Sequence, residues 1–149
     1  MTNLVNIFLI EDDEVDIMNV KRAFKKNNIS NPLFIARDGL EALDMLKGTG
    51  TLAKIPTPRV VLLDINMPKM GGIEFLTEIR KDDALRALSV FVMTTSNEES
   101  DKIAAYDLNV AGYILKPLSF ERFTNAISIL NHYWHLCEIP TTVASSVKD

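Results

Sequence analysis

Residues 60–72 read VVLLDINMPKMGG: four aliphatic residues, one aspartate, then a proline and two glycines close behind. The run at 60–63 is too short for a helix and begins with two β-branched valines, so it predicts a buried strand with Asp64 at its carboxyl end. The turn from Met67 to Gly72 is predicted to leave one side of that carboxylate open to solvent. Similar short apolar runs occur at 5–10, 33–36, 90–93 and 113–115. Between them the apolar residues fall at helical spacing: Val15, Met18 and Phe24 within 14–28, then Leu40, Leu43 and Leu46, then Ile73, Leu76 and Ile79. Ser96-x-x-Glu99 has the pattern of a capping box ahead of a helix running through Leu108. Ser119 is placed to cap the last helix, with Leu118 and Phe123 spaced as a hydrophobic staple.

Strand and helix thus alternate five times, which predicts an α/β fold: a doubly wound, five-stranded parallel sheet with helices on both faces. The length of 149 residues suits one domain, placed at 4–138 and followed by a tail at 139–149. Residues 47–59, with two Gly and two Pro, read as a long connection. A composition of 47% hydrophobic and 24% charged residues is that of a globular chain rather than a disordered one. The net charge of −4 supplies no basic footprint for direct nucleic-acid binding. A single cysteine, Cys137, excludes an internal disulfide. With neither a signal-peptide pattern nor an apolar run long enough for a bilayer, the expected location is cytoplasmic, with no membrane partner.

In a doubly wound sheet, ligands bind beyond the carboxyl ends of the strands. The residues expected there are Glu11, Asp12 and Asp13 after the first strand, Asp64 after the third, Thr94, Thr95 and Ser96 after the fourth, and Lys116 after the fifth. Clustered carboxylates repel, so a cation must sit among them, and hard oxygen donors suit Mg²⁺. Zinc is disfavoured, because His132, His135 and Cys137 all fall in the last helix. A carboxylate beside such a metal can attack a phosphorus centre while lysine and a hydroxyl stabilise the transferring oxygens, and Asp64, after the central strand, is the natural nucleophile. Taken singly, each feature also has a plainer reading. The EDDE run at 11–14 suits a solvated helix N-terminus, a lone Asp suits a turn, and Lys116-Pro117 suits a strand terminator. Their joint order along one sheet edge favours the site.

With the motifs LIEDDE, LLDINMPKMGG, VMTTS and YILKP in this order, the chain resembles, over residues 4–136, the receiver domain of two-component response regulators. The resemblance implies a flavodoxin-like (βα)5 receiver fold and a phospho-accepting switch rather than an enzyme acting on a separate substrate. Asp64 would take its phosphoryl group from a histidine kinase or a phosphotransfer protein. Asp12 and Asp64 would ligate Mg²⁺ together with the backbone carbonyl of Asn66, and Glu11 would act through water. Asp13 is a register alternative that better suits capping the first helix. Thr94 would bond the new phosphoryl group, Lys116 would pair with it, and the Lys116-Pro117 peptide would be cis. Tyr113 matches the family's switch aromatic, though it could equally be a strand residue packed on the fourth helix. Glu11 stands where Asp is more frequent, and Thr95 adds a hydroxyl of no assigned role. The long 47–59 connection, the TTS sequence and the aromatic last helix resemble stand-alone regulators paired with bacterial phytochromes, so a phytochrome-type sensor kinase is the finer expectation.

With only a tail expected after the last helix, output should be an interaction. Phe120, Phe123, Ile127, Leu130 and Trp134 form one stripe facing the sheet, and Ala126, Ile129, Tyr133 and Cys137 form a second. A helix apolar on two faces has more to cover than its own core. The expected partner is a second copy, giving a homodimer through the fourth helix, fifth strand and fifth helix, with the tail folding back as the alternative. Two other function classes remain at this point, a Mg²⁺-dependent aspartyl-phosphate phosphohydrolase and a receiver-like scaffold that is never phosphorylated. The first usually needs an acid two residues after the nucleophile, where this chain has Asn66.

Overall fold

Five parallel strands form one sheet in the order β2-β1-β3-β4-β5. They are β1 (Ile7–Ile10), β2 (Leu33–Ala36), β3 (Val60–Leu63), β4 (Ser89–Thr94) and β5 (Gly112–Leu115), and they alternate with α1 (Glu14–Lys26), α2 (Gly39–Lys47), α3 (Gly72–Lys81), α4 (Glu99–Asp107) and α5 (Phe120–Leu136). The computed structural model describes residues 6–58, 60–116 and 119–138. The expected cis bond at Pro117, the staple through Leu118 and the tail at 139–149 lie outside the described residues.

The period of two along each strand sorts its side chains into two cores. Phe8, Ile10, Val61, Leu63, Val90 and Val92 face α2, α3 and α4, whereas Ile7, Leu9, Val60, Leu62, Phe91 and Met93 face α1 and α5. In register, Ile10 pairs with Leu63 and Leu63 with Val92, so β1 and β3 finish level and β4 runs two residues further, to Thr94. Three backbone bonds carry the ladder one residue further: Asp64 N–H donates to Ile10 O at 3.0 Å, Glu11 N–H to Ala36 O at 2.9 Å and Lys116 N–H to Thr94 O at 2.7 Å. The residues just beyond the strands therefore start from a fixed backbone.

The expected fold class stands, and several local expectations are corrected. On α1, Val15 and Met18 are 64% and 56% exposed, and the buried stripe is Ile17, Val20, Ala23 and Phe24. Leu40 is likewise exposed, while Ala42, Leu43 and Leu46 face the core. Ser96 makes no capping box. Glu98 is the N-cap residue of α4 with no side-chain cap bond, and the Ser96 hydroxyl instead donates to Asp101 Oδ2 at 2.6 Å. Asp13 does cap α1, accepting from Val15 N–H at 2.8 Å, and Ser119 caps α5 through Arg122 N–H at 3.1 Å. The long connection after α2 leaves through Gly48 in the left-handed region (φ 75°) and then docks, with Ile55 buried and its N–H bonded to Met45 O. On α5, Phe123, Ile127, Leu130 and Trp134 are buried as expected, Phe120 is half-buried, and Ile129 and Tyr133 are exposed.

Candidate functional site

Carboxylate oxygens of Glu11, Asp12 and Asp64 all lie within 4.8 Å of one another where β1 and β3 end. Glu11 and Asp64 are buried and Asp12 is exposed. The loop behind Asp64 closes tightly: Gly72 N–H donates to Ile65 O at 2.8 Å, and a Cβ on Gly72 would lie 2.4 Å from the carbonyl oxygen of Asp64. Only a residue without a side chain lets α3 start so close beneath the strand end. The Asn66 side chain between them is exposed.

Lys116 reaches into this cluster from β5. Its ammonium lies 2.7 Å from Glu11 Oε1, 2.7 Å from Asp16 Oδ2 and 3.9 Å from Asp64 Oδ2, with the side chain 11% exposed. Burial pulls the lysine's pKa down, but hydrogen bonds to Asp16 and Glu11 outweigh it and the pKa is raised. Burial acts most strongly on Glu11; hydrogen bonding to Lys116 opposes it and the charge of Asp64 adds to it, so the pKa rises from 4.5 to about 7. Among the described residues, Asp64 Oδ1 is buried with no hydrogen-bond partner. An orphaned buried carboxylate oxygen beside two further acids is the donor set of a divalent cation that prefers oxygen ligands. A cavity of about 280 Å³ opens at the same edge, polar at Glu11, Asp16, Asp64 and Lys116 and apolar at Leu62 and Phe123.

Thr94 ends β4 fully buried, its Oγ1 accepting from Ser96 N–H at 3.2 Å. Ser96 in turn joins two elements, since its carbonyl accepts from the Tyr113 hydroxyl at 2.9 Å and its own hydroxyl reaches Asp101 on α4. Burial raises the pKa of Tyr113, against the hydrogen bond to Ser96. The structure thus gathers Glu11, Asp12, Asp64 and Lys116 at one point and links Thr94 to Tyr113 through Ser96. Sequence reasoning missed Asp16. Asp16 lies on the side of α1 that carries Asp13, Ile17 and Val20, and it is the fold that sets Lys116 against it.

A model of the response regulator receiver domain matches residues 7–128. The response regulator Rcp1 of Synechocystis sp. is 36% identical over 128 residues, 86% of this chain and 87% of that protein. A probable methanogenesis regulatory protein, FilR2 of Methanothrix harundinacea, is 38% identical over 131 residues, 86% of this chain and 82% of its own. Among solved structures, the phosphorylated cyanobacterial phytochrome response regulator RcpA superposes with a TM-score of 0.83 at 32% identity, covering 92% of this chain and 98% of that one. The Mn²⁺-bound form of Rcp1 superposes at 0.82 with 34% identity, covering 91% and 99%.

Proposed function

The chain belongs to the response regulator receiver domain family, and we propose that Asp64 is the residue on which it accepts a phosphoryl group from a sensor histidine kinase or a phosphotransfer protein. One Asp64 carboxylate oxygen would form the new bond to phosphorus, while the bond from phosphorus to the donor's imidazole nitrogen breaks and leaves its electron pair on that nitrogen. The observation that carries this reading is the buried Asp64 Oδ1, unpartnered among the described residues, with an ammonium 3.9 Å from its other oxygen. Asp12, Asp64 and the Asn66 carbonyl would hold Mg²⁺, with Glu11 acting through water. The Mn²⁺ in the Rcp1 structure and the three-acid cluster here support a divalent ion. Bound there, the ion supplies positive charge to the transferring oxygens. Lys116 would pair with the phosphoryl group once it is in place.

Thr94 is the residue we assign to sensing that group. Its hydroxyl would turn toward the phosphoryl oxygens and give up its bond from Ser96 N–H, and Ser96 holds both Tyr113 and Asp101. Tyr113 would move with it, so the change reaches α4 and β5. The surface so altered exposes Ile103 and Tyr106 on α4, Leu115 on β5, and Ile129 and Tyr133 on α5, which suits a homodimer of the phosphorylated form. The reading takes the receiver domain as residues 4–138, places the protein in the cytoplasm, gives it no nucleic-acid partner of its own, and makes a phytochrome-type kinase its donor on the strength of RcpA. It also makes phosphorylation and slow dephosphorylation of Asp64 the only reaction catalysed. Asn66, two residues past Asp64, supplies no acid for a true phosphohydrolase.

The test is intact mass after incubation with Mg²⁺ and acetyl phosphate, on the wild type and Asp64→Asn. A labile phosphoryl adduct on the wild type alone is the expected result. An equal adduct on both proteins would move the acceptor elsewhere, and none on either would remove phospho-acceptance from small donors.

A further inference from the structure

Lys116 is one ammonium shared by three carboxylates, and the sharing is unequal. Glu11 and Asp16 each hold it at 2.7 Å, whereas Asp64 stands at 3.9 Å. Glu11 and Asp64 belong to the cluster able to grip a metal ion, and Asp16 does not. Asp16 approaches from another element, the first turn of α1, and its side chain is about one-third exposed. A cation arriving at the cluster draws on Glu11 and Asp64, the same groups that would otherwise neutralise Lys116. The ammonium and the metal ion then repel each other across Asp64 unless something else holds the lysine.

We propose that Asp16 is a positioning residue: its carboxylate holds the Lys116 ammonium off Asp64, which leaves the Asp64 carboxylate free for the divalent ion and, on the reading above, for the incoming phosphoryl group. The two requirements on Lys116 are thereby separated. Before transfer the ammonium must stay clear of the nucleophile, and after transfer it must lie within reach of the phosphoryl oxygens. A partner on the neighbouring helix, outside the metal's own ligands, meets the first requirement and releases the lysine when the phosphoryl group adds negative charge to Asp64. Asp16 touches neither the metal nor the phosphorus. It acts through Lys116, and this makes it separable from an ordinary acid that merely attracts cations.

The experiment is a double-mutant cycle read by calorimetric titration of Mg²⁺ into the whole protein: wild type, Asp16→Ala, Lys116→Met and the double variant, with Asp16→Glu as the conservative rescue. Circular dichroism melts of each confirm folding before titration. On the Lys116 background, Asp16→Ala is expected to weaken Mg²⁺ binding about tenfold, and on the Lys116→Met background by less than about twofold, because no ammonium is left to misplace. Asp16→Glu, which keeps the charge on a longer arm, should recover most of the loss. Equal losses on both backgrounds would reduce Asp16 to a plain acid near a cation and overturn the proposal, as would no loss on either or a wild type that binds no Mg²⁺. Calorimetry needs no phosphodonor, so the two readings fail separately. An adduct on Asp64 with equal losses keeps the function and removes the role of Asp16, while unequal losses without an adduct do the reverse.

Discussion

Glu11 is pulled in opposite directions by its surroundings. Burial raises its pKa, the Lys116 hydrogen bond lowers it, and the nearby Asp64 charge raises it again, leaving it at about 7 against an ordinary 4.5. Because the folded value is the higher one, Glu11 contributes stability that is fully present below pH 4.5 and is lost as pH rises through about 7. Urea unfolding of the metal-free protein should therefore show stability falling across that interval, and Glu11→Gln should flatten the fall. Metal binding runs the other way, since the ion favours the ionised acid. Calorimetry should find Mg²⁺ bound about tenfold more weakly at pH 6 than at pH 8, with a plateau above about pH 7.5. A pH-independent affinity would mean that Glu11 is ionised throughout. Glu11, Asp64, Thr94 and Lys116 could be picked out from sequence because each directly follows a short apolar run, and strand ends in a doubly wound sheet converge by topology. Asp16 could not be picked out in the same way. An acid in the first turn of a helix is equally explained by the helix dipole, and only the third dimension sets Lys116 against it.

Arg80 at the end of α3 shows how elements are tied together away from the site. Its guanidinium donates to four backbone carbonyls, those of Leu108 (2.7 Å), Arg86 (2.8 Å), Leu88 (2.8 Å) and Asn109 (3.2 Å). One planar fork thus binds the end of α3, the loop before β4 and the end of α4. Lysine has three donors on a single tetrahedral nitrogen and cannot reproduce the fork, so Arg80→Lys is expected to lower stability by about 1–3 kcal/mol. Urea denaturation would measure this, and an unchanged midpoint would show the four bonds to be replaceable by water. Nothing along the sequence points to Arg80, whose partners are main-chain atoms from separate loops and carry no residue signature. The phase of α1 failed for a different reason. Val15 and Met18 share one side of the helix and Ile17 with Val20 another, both sides carry apolar residues, and Phe24 belongs with the second. Spacing alone cannot choose between two apolar stripes, and contact with α5 decides it. Ser96 misled because an S-x-x-E pattern fits a capping box whether or not the helix begins there; α4 starts at Glu99, and Ser96 serves Asp101, Tyr113 and Thr94 instead.

At the scale of the whole molecule, the sheet places Asp64 after its central strand and leaves β5 as an edge, one strand beyond the β4 that carries Thr94. Between these two positions, α4 contributes a single buried residue, Ala105, whereas α5 contributes five. An element held by so little core is the one a local change can move, and the Thr94-Ser96-Asp101 chain attaches it to the site. Its outer surface continues across β5 onto α5, where Ile129 is 67% exposed and Tyr133 stacks edge-on against Phe91 with half its surface free. If the phosphorylated form dimerises through this surface, Ile129→Glu should leave the phosphoryl adduct intact and hold the protein as a monomer, because a charge at the centre of an apolar contact would be desolvated without a partner. Val15→Glu, an equally exposed apolar position on α1, lies outside the surface and should leave the dimer unchanged. Size-exclusion elution with light scattering, run on both variants with Mg²⁺ and acetyl phosphate, separates the outcomes. Loss of the dimer in Ile129→Glu alone assigns it to α4, β5 and α5. Loss in Val15→Glu alone assigns it to the α1 side, and a wild type that remains monomeric when phosphorylated removes self-association as the output and leaves the same apolar surface for a different protein.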